Sequence, residues 1–229
     1  LRNTGTSGIV DTNSFAPKLD LASGAGASDL AIQDFDGDGR PDLAVANSDA
    51  GTLSLFRNIG GAGVLDASSF EARVDLPANS NSSVAAGDLD GDGKADLLAG
   101  GISGIVSIYR NLSTVGSFTP ASFAPRVDYG NPGWVHNVVL GDINGDNKPD
   151  AVVVGELGSF MRVYQNQSAP GGISLATGVD YPTGWNAWGV SVRDLDGDQR
   201  NDIVFCNAYD NTITLYRNQQ SFGGPPFII

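Results

Sequence analysis

Hydrophobic and polar residues alternate along this chain in short runs that turn residues separate. Residues 53–58 and 106–111 alternate, whereas residues 97–100 and 151–154 are almost continuously apolar. Alternation predicts strands with one solvated face, and a short continuous apolar run predicts a strand that is buried on both faces. Segments with helical periodicity are missing, and glycine is abundant at 31 of 229 residues. The pattern therefore predicts an all-β protein.

An acidic motif recurs between these runs at nearly constant spacing. It reads Asp-x-Asp/Asn-Gly-Asp-x-x-x-Asp and begins at Asp34, Asp88, Asp142 and Asp194, in steps of 54, 54 and 52 residues. Four strand-like segments keep phase with it: one before the motif, one after it, a third that ends in aromatic-Arg/Gln-Asn, and a fourth that begins with Ser-Phe. Four short strands per unit of roughly 50 residues are typical of a β-propeller blade, with a sandwich of unrelated hairpins as the alternative.

The repeats define one β-propeller domain or fragment over residues 1–229, built from four-stranded blades, with about four blades in this chain. The units run roughly over residues 14–68, 69–121, 122–172 and 173–222, and the Ser-Phe strands are predicted at residues 14–19, 69–74 and 122–127, with a weaker copy at Ser174-Leu175. Residues 1–5 resemble the end of a third strand, so the chain begins out of phase with its own blades. An open propeller leaves strand edges and apolar faces uncovered. The chain could therefore be a piece of a larger ring, its two ends could complete one blade of a compact four-blade ring, or two chains could close a ring together.

The acidity of the chain is concentrated in the motifs. The formal net charge is −13, from 26 acidic and 13 basic side chains, and 15 of the acids are motif aspartates. One divalent cation per motif would bring the formal charge to −5. Because no basic stripe could neutralise phosphates, a nucleic-acid partner is not expected. Membrane insertion is not expected either, because no apolar run is long enough to span a bilayer.

The motif has the composition of a calcium loop. Carboxylates fall at positions 1, 3, 5 and 9, Gly37 at position 4 permits a sharp turn, and position 7 can offer its backbone carbonyl. An all-oxygen, carboxylate-rich set in a flexible loop suits Ca²⁺ better than Mg²⁺. We expect about one Ca²⁺ per repeat, four in total. The predicted ligands are Asp34, Asp36, Asp38, Arg40, Asp42, Asp88, Asp90, Asp92, Lys94, Asp96, Asp142, Asn144, Asp146, Lys148, Asp150, Asp194, Asp196, Asp198, Arg200 and Asp202.

Two other interpretations compete with a calcium loop. An EF-hand needs Glu at position 12 and flanking helices, but position 12 is apolar in every copy. Ordinary Asp-rich turns are the second alternative, but four phased clusters of unneutralised carboxylates would repel one another. At position 6, Asn147 and Gln199 replace glycine. Since Gln tolerates a left-handed backbone less well than Asn, the fourth loop is expected to be the most distorted.

The four loops resemble the FG-GAP and VCBS-type repeats, whose members include the integrin α-subunit propeller and fungal calcium-containing propeller lectins. The residues that carry the resemblance are 34–43, 88–97, 142–151 and 194–203. The resemblance implies four-stranded blades with Ca²⁺ in the hairpin between the first two strands. It also implies ligand binding on the opposite face, through loops between strands two and three and between blades. Family propellers commonly have seven blades, and their functions vary widely.

Aromatic residues mark a candidate ligand surface on that opposite face. All three tryptophans and the single histidine lie in the third and fourth repeats, around the loops that enter the first strands. Exposed aromatics beside Asn, Asp and His could stack sugar rings or hold a peptide, whereas the alternative is that the tryptophans fill the space between blades. With no second histidine, a loop hydrogen bond suits the histidine better than metal ligation. The candidate ligand-binding residues are Trp134, His136, Trp185, Asn186, Trp188 and Tyr209.

These features favour a calcium-stabilised recognition or adhesion module of a secreted or cell-surface protein, with a glycan or an extracellular protein as partner. A polysaccharide lyase or hydrolase built on the propeller is the second hypothesis, and a structural spacer is the third. One histidine, no nucleophile motif and no phosphate loop argue against an enzyme. Cys206, the only cysteine, is predicted to be inert core in a buried strand.

Overall fold

A computed structural model describes residues 8, 11–12, 14–131, 133–155 and 159–219. It contains strands and two short 3₁₀ helices, Ala67–Ser69 and Pro120–Ser122. The strands are β1 Ala27–Gln33, β2 Asp42–Asn47, β3 Thr52–Phe56, β4 Val74–Pro77, β5 Asn81–Gly87, β6 Asp96–Gly101, β7 Ile105–Tyr109, β8 Val127–Gly130, β9 Val135–Gly141, β10 Asp150–Gly155, β11 Phe160–Tyr164, β12 Val179–Pro182, β13 Ala187–Arg193, β14 Asp202–Asn207 and β15 Thr212–Tyr216.

The strands form four separate antiparallel sheets, each in sequence order. Strands β1–β4, β5–β8 and β9–β12 make three four-stranded sheets, and β13–β15 make a three-stranded sheet within the described residues. We refer to the sheets as blades 1 to 4 in chain order. The all-β propeller architecture predicted from the repeat is therefore confirmed.

The outermost strand of blades 1 to 3 begins later than the Ser-Phe pattern predicts. Residues 69–74 were expected to form it, but β4 starts only at Val74 and pairs with β3. Ser69 closes a capping box instead: its hydroxyl accepts a hydrogen bond from the Asp66 amide at 2.9 Å. Phe70 makes only an isolated bridge to Asn58. This local turn uses the backbone groups that pairing with β3 would need. The outer strand therefore begins only after the turn, at Val74.

Neighbouring blades pack through their inner strands, β1 against β5, β5 against β9 and β9 against β13. An apolar cluster fills each of the three interfaces. The second residue of the acidic motif, Phe35, Leu89 or Ile143, is fully buried in the cluster that its blade shares with the next one. The motif thus contributes acidic side chains to a loop and one apolar side chain to the core. No helix in the described part of the chain is long and apolar enough to cross a membrane.

The outer side of blade 4 differs from the corresponding side of the other blades. Cys206 is exposed there, so its predicted place in the core is wrong. It lies on a central strand with the expected apolar pattern, but in the described structure no further blade packs over it. Likewise, no packing between β13 and β1 comparable to the other inner-strand contacts occurs among the described residues. Within the described residues the four blades therefore form an open arc.

Candidate functional site

Each acidic motif lies in the hairpin between the first and second strands of its blade, as the resemblance implies. Its backbone turns through the left-handed region at position 4, where Gly37 has φ of 73°. Position 6 has the same handedness, with φ of 84° at Gly39, 63° at Asn147 and 67° at Gln199. The Gln199 amide donates to Asp194 at 2.9 Å, as the Gly39 amide does to Asp34 at 2.8 Å. The expected distortion of the fourth loop is therefore not visible at position 6.

Carboxylates from positions 1, 3 and 9 converge in three of the four loops. In each loop one oxygen from each of the three aspartates lies within 4.8 Å of the other two. In the third loop the neutral Asn144 occupies position 3, between Asp142 and Asp150. The converging sets are Asp34, Asp36 and Asp42; Asp88, Asp90 and Asp96; and Asp194, Asp196 and Asp202.

Positions 5 and 7 make other contacts. The Asp38 carboxylate at position 5 accepts the backbone amide of Arg40 at 3.0 Å and also binds its guanidinium. The ammonium groups of Lys94 and Lys148, at position 7, donate to the carbonyls of Ser113 and Ser168, both at 2.7 Å. The two lysines thus contact carbonyls, and Arg40 and Arg200 contact the position-5 aspartates. Because a cationic side chain cannot ligate a metal ion, position 7 has only its backbone oxygen to offer.

The position-9 aspartates are the buried anchors of the loops. Asp42 accepts hydrogen bonds from the amide of Phe35 at 3.0 Å and from that of Asn58 at 2.8 Å, so it ties the motif to the end of β3. Asp96 and Asp150 make the equivalent pairs of bonds. Burial raises the pKa of each of these three carboxyls from 3.8 to about 6, against the opposing effect of the amide hydrogen bonds. A bound cation would stabilise their charged form.

An arginine that follows the third strand completes three of the four loops, and the sequence interpretation missed its role. Arg57 forms an ion pair with Asp36 and donates to Asp38 at 3.0 Å. Arg110 and Arg217 occupy the same place in the second and fourth loops, against Asp90 and Asp196. The hydrogen bonds to these carboxylates raise the pKa of each guanidinium further. The aromatic-Arg-Asn pattern is thus part of the acidic site.

The third loop is neutral at both of these places. Asn144 replaces the position-3 aspartate, and Gln165 replaces the arginine. The Asn144 amide donates to Asp146 at 3.1 Å, a contact that the guanidinium makes to position 5 elsewhere. When the residue at the arginine position is counted with its motif, each of the four motifs carries a formal charge of −2. The third repeat thus changes Asp to Asn and Arg to Gln together, and this paired change is the sequence signal that could have shown the contact between the two positions. The constant charge of −2 fits one divalent ion in each loop.

The asparagine after the arginine connects neighbouring blades. Asn111 donates its amide to the carbonyl of Phe35 in the preceding blade and to that of Ala95 in its own, both at 2.8 Å. Asn166 and Asn218 make the equivalent bonds to the preceding loops, at 2.9 and 2.7 Å. The acidic loops of blades 1 to 3 are therefore each held by the next blade as well as by their own.

A second group of candidate residues lies at the opposite ends of the inner strands. The pairing of β9 with β10 is irregular around His136, and that of β13 with β14 is irregular around Trp188 and Gly189. Such bulges redirect side chains away from the sheet. The two rings stack across blades 3 and 4, with centroids 4.4 Å apart and an interplanar angle of 11°. The sequence placed both residues on this face but could not predict that they touch.

The loops of blade 4 present a second aromatic pair. Trp185 and Tyr209 meet edge to face with centroids 6.1 Å apart, and both are mostly exposed. Asp210 accepts the backbone amide of Trp185, which fixes the two loops to each other. Asn186 is buried, and its side-chain oxygen has no hydrogen-bond partner among the described residues. Trp134 is exposed and belongs to neither aromatic pair. The tryptophans therefore do not fill the space between blades.

The fold and the phased acidic hairpins define a β-propeller built from calcium-loop-like repeats. The FG-GAP-like repeat model matches residues 34–99 and 88–153, which together span half of the chain. The chain belongs to the FG-GAP-like repeat family. No curated protein matches it.

A solved structure supports the fold assignment. The chain is similar to the crystal structure of the WD40 β-propeller domain of Doa1, with a TM-score of 0.51 and 16% sequence identity over 84% of this chain and 52% of that one. The chain thus spans about half the length of that propeller. At this identity the likeness concerns the fold alone.

Proposed function

We propose that this chain is a non-catalytic, calcium-stabilised recognition module of an extracellular protein, and that it binds a glycan on the face opposite the acidic loops. The stack of His136 on Trp188 is the observation that carries the ligand assignment. Two aromatic rings from different blades meet there, at positions where strand bulges direct them out of their sheets.

The donor sets of the loops fit Ca²⁺. Converging carboxylates with a backbone carbonyl nearby form the hard, flexible oxygen set that this ion prefers. Positions 1, 3 and 9 would hold the ion, for instance Asp88, Asp90 and Asp96 in blade 2. A bound ion would supply the charge that keeps the buried carboxylates ionised and the hairpin closed.

The arginine partners favour a weak, extracellular type of site. Arg110 lies against Asp90, one of the three converging carboxylates, and so reduces the net negative charge that attracts a cation. Fewer net charges reduce Ca²⁺ affinity, and extracellular modules work at about 10⁻⁴ to 10⁻³ M. Sites of that strength are filled outside cells and empty inside them, which supports the extracellular assignment.

The aromatic face suits a polar ligand with flat apolar patches, which is the chemistry of a sugar ring. Trp185, Trp188 and Tyr209 expose more than half of their surface. The carboxylate of Asp210, which accepts the backbone amide of Trp185, supplies a polar group beside them. Exposed aromatic rings next to hydrogen-bonding groups are characteristic of recognition surfaces.

A glycan array probed at millimolar Ca²⁺ tests the ligand assignment. Binding to a defined glycan class should fall at least about tenfold in Trp188→Ala, because the stack is lost. Val115→Ala is the control, since this exposed side chain lies beside Gly37 in an acidic loop, on the face opposite the aromatic pairs. Equal binding by the wild type and Trp188→Ala would contradict the assignment. Capture of a protein but no glycan would do so as well, and turnover of a polysaccharide by the purified chain would refute a non-catalytic role.

A further inference from the structure

The outer side of blade 4 exposes a strongly apolar surface. Leu195, Ile213 and Leu215 are 52%, 64% and 56% exposed. Cys206 pairs with Ile213, and Val204 with Leu215, so these side chains share one side of the sheet. We call this surface, made of Leu195, Val204, Cys206, Ile213 and Leu215, the trailing face. It carries no charged residue among the five, which is unusual for a surface that stays in water.

The same positions are buried in the preceding blade. In blade 3 they are 0 to 2% exposed and lie in the cluster that blade 4 covers. The repeats differ little at these places, so blade 4 is exposed here because no blade packs over it in the described part of the chain. The equivalent residues of blade 3 are Ile143, Val152, Val154, Met161 and Val163.

Blade 1 exposes the complementary surface. Leu30 and Ile32 of β1 are 55% and 58% exposed, and they pair with Val45 and Leu43 of β2. We call these four residues the leading face. Their equivalents in blade 2 belong to the cluster that packs against blade 1; among them Val84, Leu97 and Ala99 are almost completely buried. At each of the three interfaces between consecutive blades, the residues equivalent to the leading face pack against those equivalent to the trailing face of the preceding blade.

The hydrogen bonds between blades are also incomplete at the two ends of the arc. Asn58 donates its amide to Pro41 in its own blade, but no preceding loop offers it a carbonyl within the described structure. Every equivalent asparagine in blades 2 to 4 makes that second bond. The loop of blade 4 has no following asparagine bonded to Leu195 in the described residues. Blade 1 therefore offers the side-chain amide of Asn58 as a donor, and blade 4 offers the backbone carbonyl of Leu195 at the position of the acceptor.

We infer that a second copy of this chain docks head to tail, with the trailing face of each copy on the leading face of the other. The interface would repeat the one that already occurs three times inside the chain. Two head-to-tail contacts related by a twofold axis close a ring without leaving an edge. Eight blades would result, within the usual range of four to eight or so for propellers. This inference does not depend on the calcium or glycan assignments.

Analytical ultracentrifugation of this chain from about 1 to 100 µM tests the inference, since a contact with a dissociation constant in the micromolar range would change from monomer to dimer across these concentrations. The wild type should sediment as a dimer. Leu30→Asp and Ile213→Asp should each be monomeric, because each variant places a charge in both contacts of the ring. Val64→Asp, at an equally exposed apolar position off both faces, should remain dimeric. A monomeric wild type at every concentration would overturn the inference.

Mixing the two variants tests the head-to-tail geometry. Ile213→Asp retains an intact leading face, and Leu30→Asp retains an intact trailing face, so an equimolar mixture should form a heterodimer through one contact. A contact between like faces predicts a different result, because one of the two variants alone would then still dimerise. That result, or a mixture that remains monomeric, would refute the arrangement.

The thiol of Cys206 gives an independent measurement on the unaltered protein. Its reaction with a maleimide should be at least about tenfold slower at concentrations where the dimer forms, because the trailing face is then covered. In Leu30→Asp the reaction should be fast at all concentrations, and circular dichroism should show an unchanged fold. A rate that does not depend on concentration would contradict the inference.

Discussion

The amide of Asn111 in blade 2 donates to the backbone carbonyl of Phe35 in the acidic loop of blade 1, at 2.8 Å. The same side chain accepts the amide of Ser113 at 2.8 Å, and it is completely buried. One residue therefore joins a candidate calcium loop to the neighbouring blade. The geometry of a loop and the packing of the ring are coupled through this contact.

Removal of this contact should destabilise the protein strongly. Asn111→Ala leaves buried polar groups of two blades without partners, and the free energy of unfolding should fall by about 2–4 kcal/mol. Asn58→Ala is the matched control, because Asn58 bonds only within its own blade. It should cost about 1 kcal/mol. Urea unfolding at constant Ca²⁺ measures both, and equal losses would argue against the role of the contact between blades.

Chelation of Ca²⁺ should lower the melting temperature, and the number of bound ions should follow the number of intact loops. Isothermal titration of the chelator-stripped protein should yield about four ions per chain. Asp88→Ala removes the position-1 carboxylate of blade 2 and should reduce that number by one. Asp66→Ala, outside the loops, should leave it unchanged. A melting curve indifferent to chelator would refute the calcium assignment.

The partner arginine should tune the affinity of each loop. Arg110→Gln removes a positive charge from beside Asp90, so Ca²⁺ should bind about threefold to tenfold tighter at that loop. The metal-free protein should become less stable, because Asp90 loses its counter-charge. The difference in melting temperature between Ca²⁺ and chelator should therefore widen.

The third loop provides the complementary test of this tuning. Gln165→Arg should weaken its Ca²⁺ binding, because the loop has no position-3 carboxylate to neutralise the new charge. Adding Asn144→Asp to that variant should restore binding by recreating the pair found in the other three loops. If Gln165→Arg left the titration unchanged, the arginines would have no influence on the ion.

The metal-free protein should lose stability as the pH rises. Asp42, Asp96 and Asp150 have pKa values of about 6 in the folded chain against 3.8 for the ordinary group. Since the folded state binds protons more tightly, the stabilisation is complete below pH 3.8 and is lost as the pH passes 6. Each aspartate contributes on the order of 1–3 kcal/mol.

Saturating Ca²⁺ should reverse this dependence, because the ion binds the deprotonated loops. Urea midpoints measured between pH 4 and 8, with chelator and with Ca²⁺, should therefore nearly coincide at pH 4 and separate as the pH passes 6. A midpoint in chelator that rises with pH across this window would show that burial does not control these carboxyls.

The sequence alone determined the repeat, the four-stranded blades and the place of each acidic motif in a hairpin. These properties are local: strand alternation, glycine turns and carboxylate spacing are written into contiguous residues. The matched exchange of Asp90 with Arg110 for Asn144 with Gln165 was also present in the sequence. That exchange could be interpreted only once the structure showed that the residue after the third strand contacts the acidic loop of its own blade.

Only the tertiary structure decided which side chains from distant positions meet. The strand bulges that bring His136 against Trp188 lie at the first residues of β9 and β13, where the sequence has no regular apolar alternation for an extra residue to interrupt. Cys206 and Val154 occupy equivalent places in similar strands, yet one is exposed and the other is buried. Local sequence specifies an apolar face, but burial requires a second surface against it, and that surface comes from a different blade.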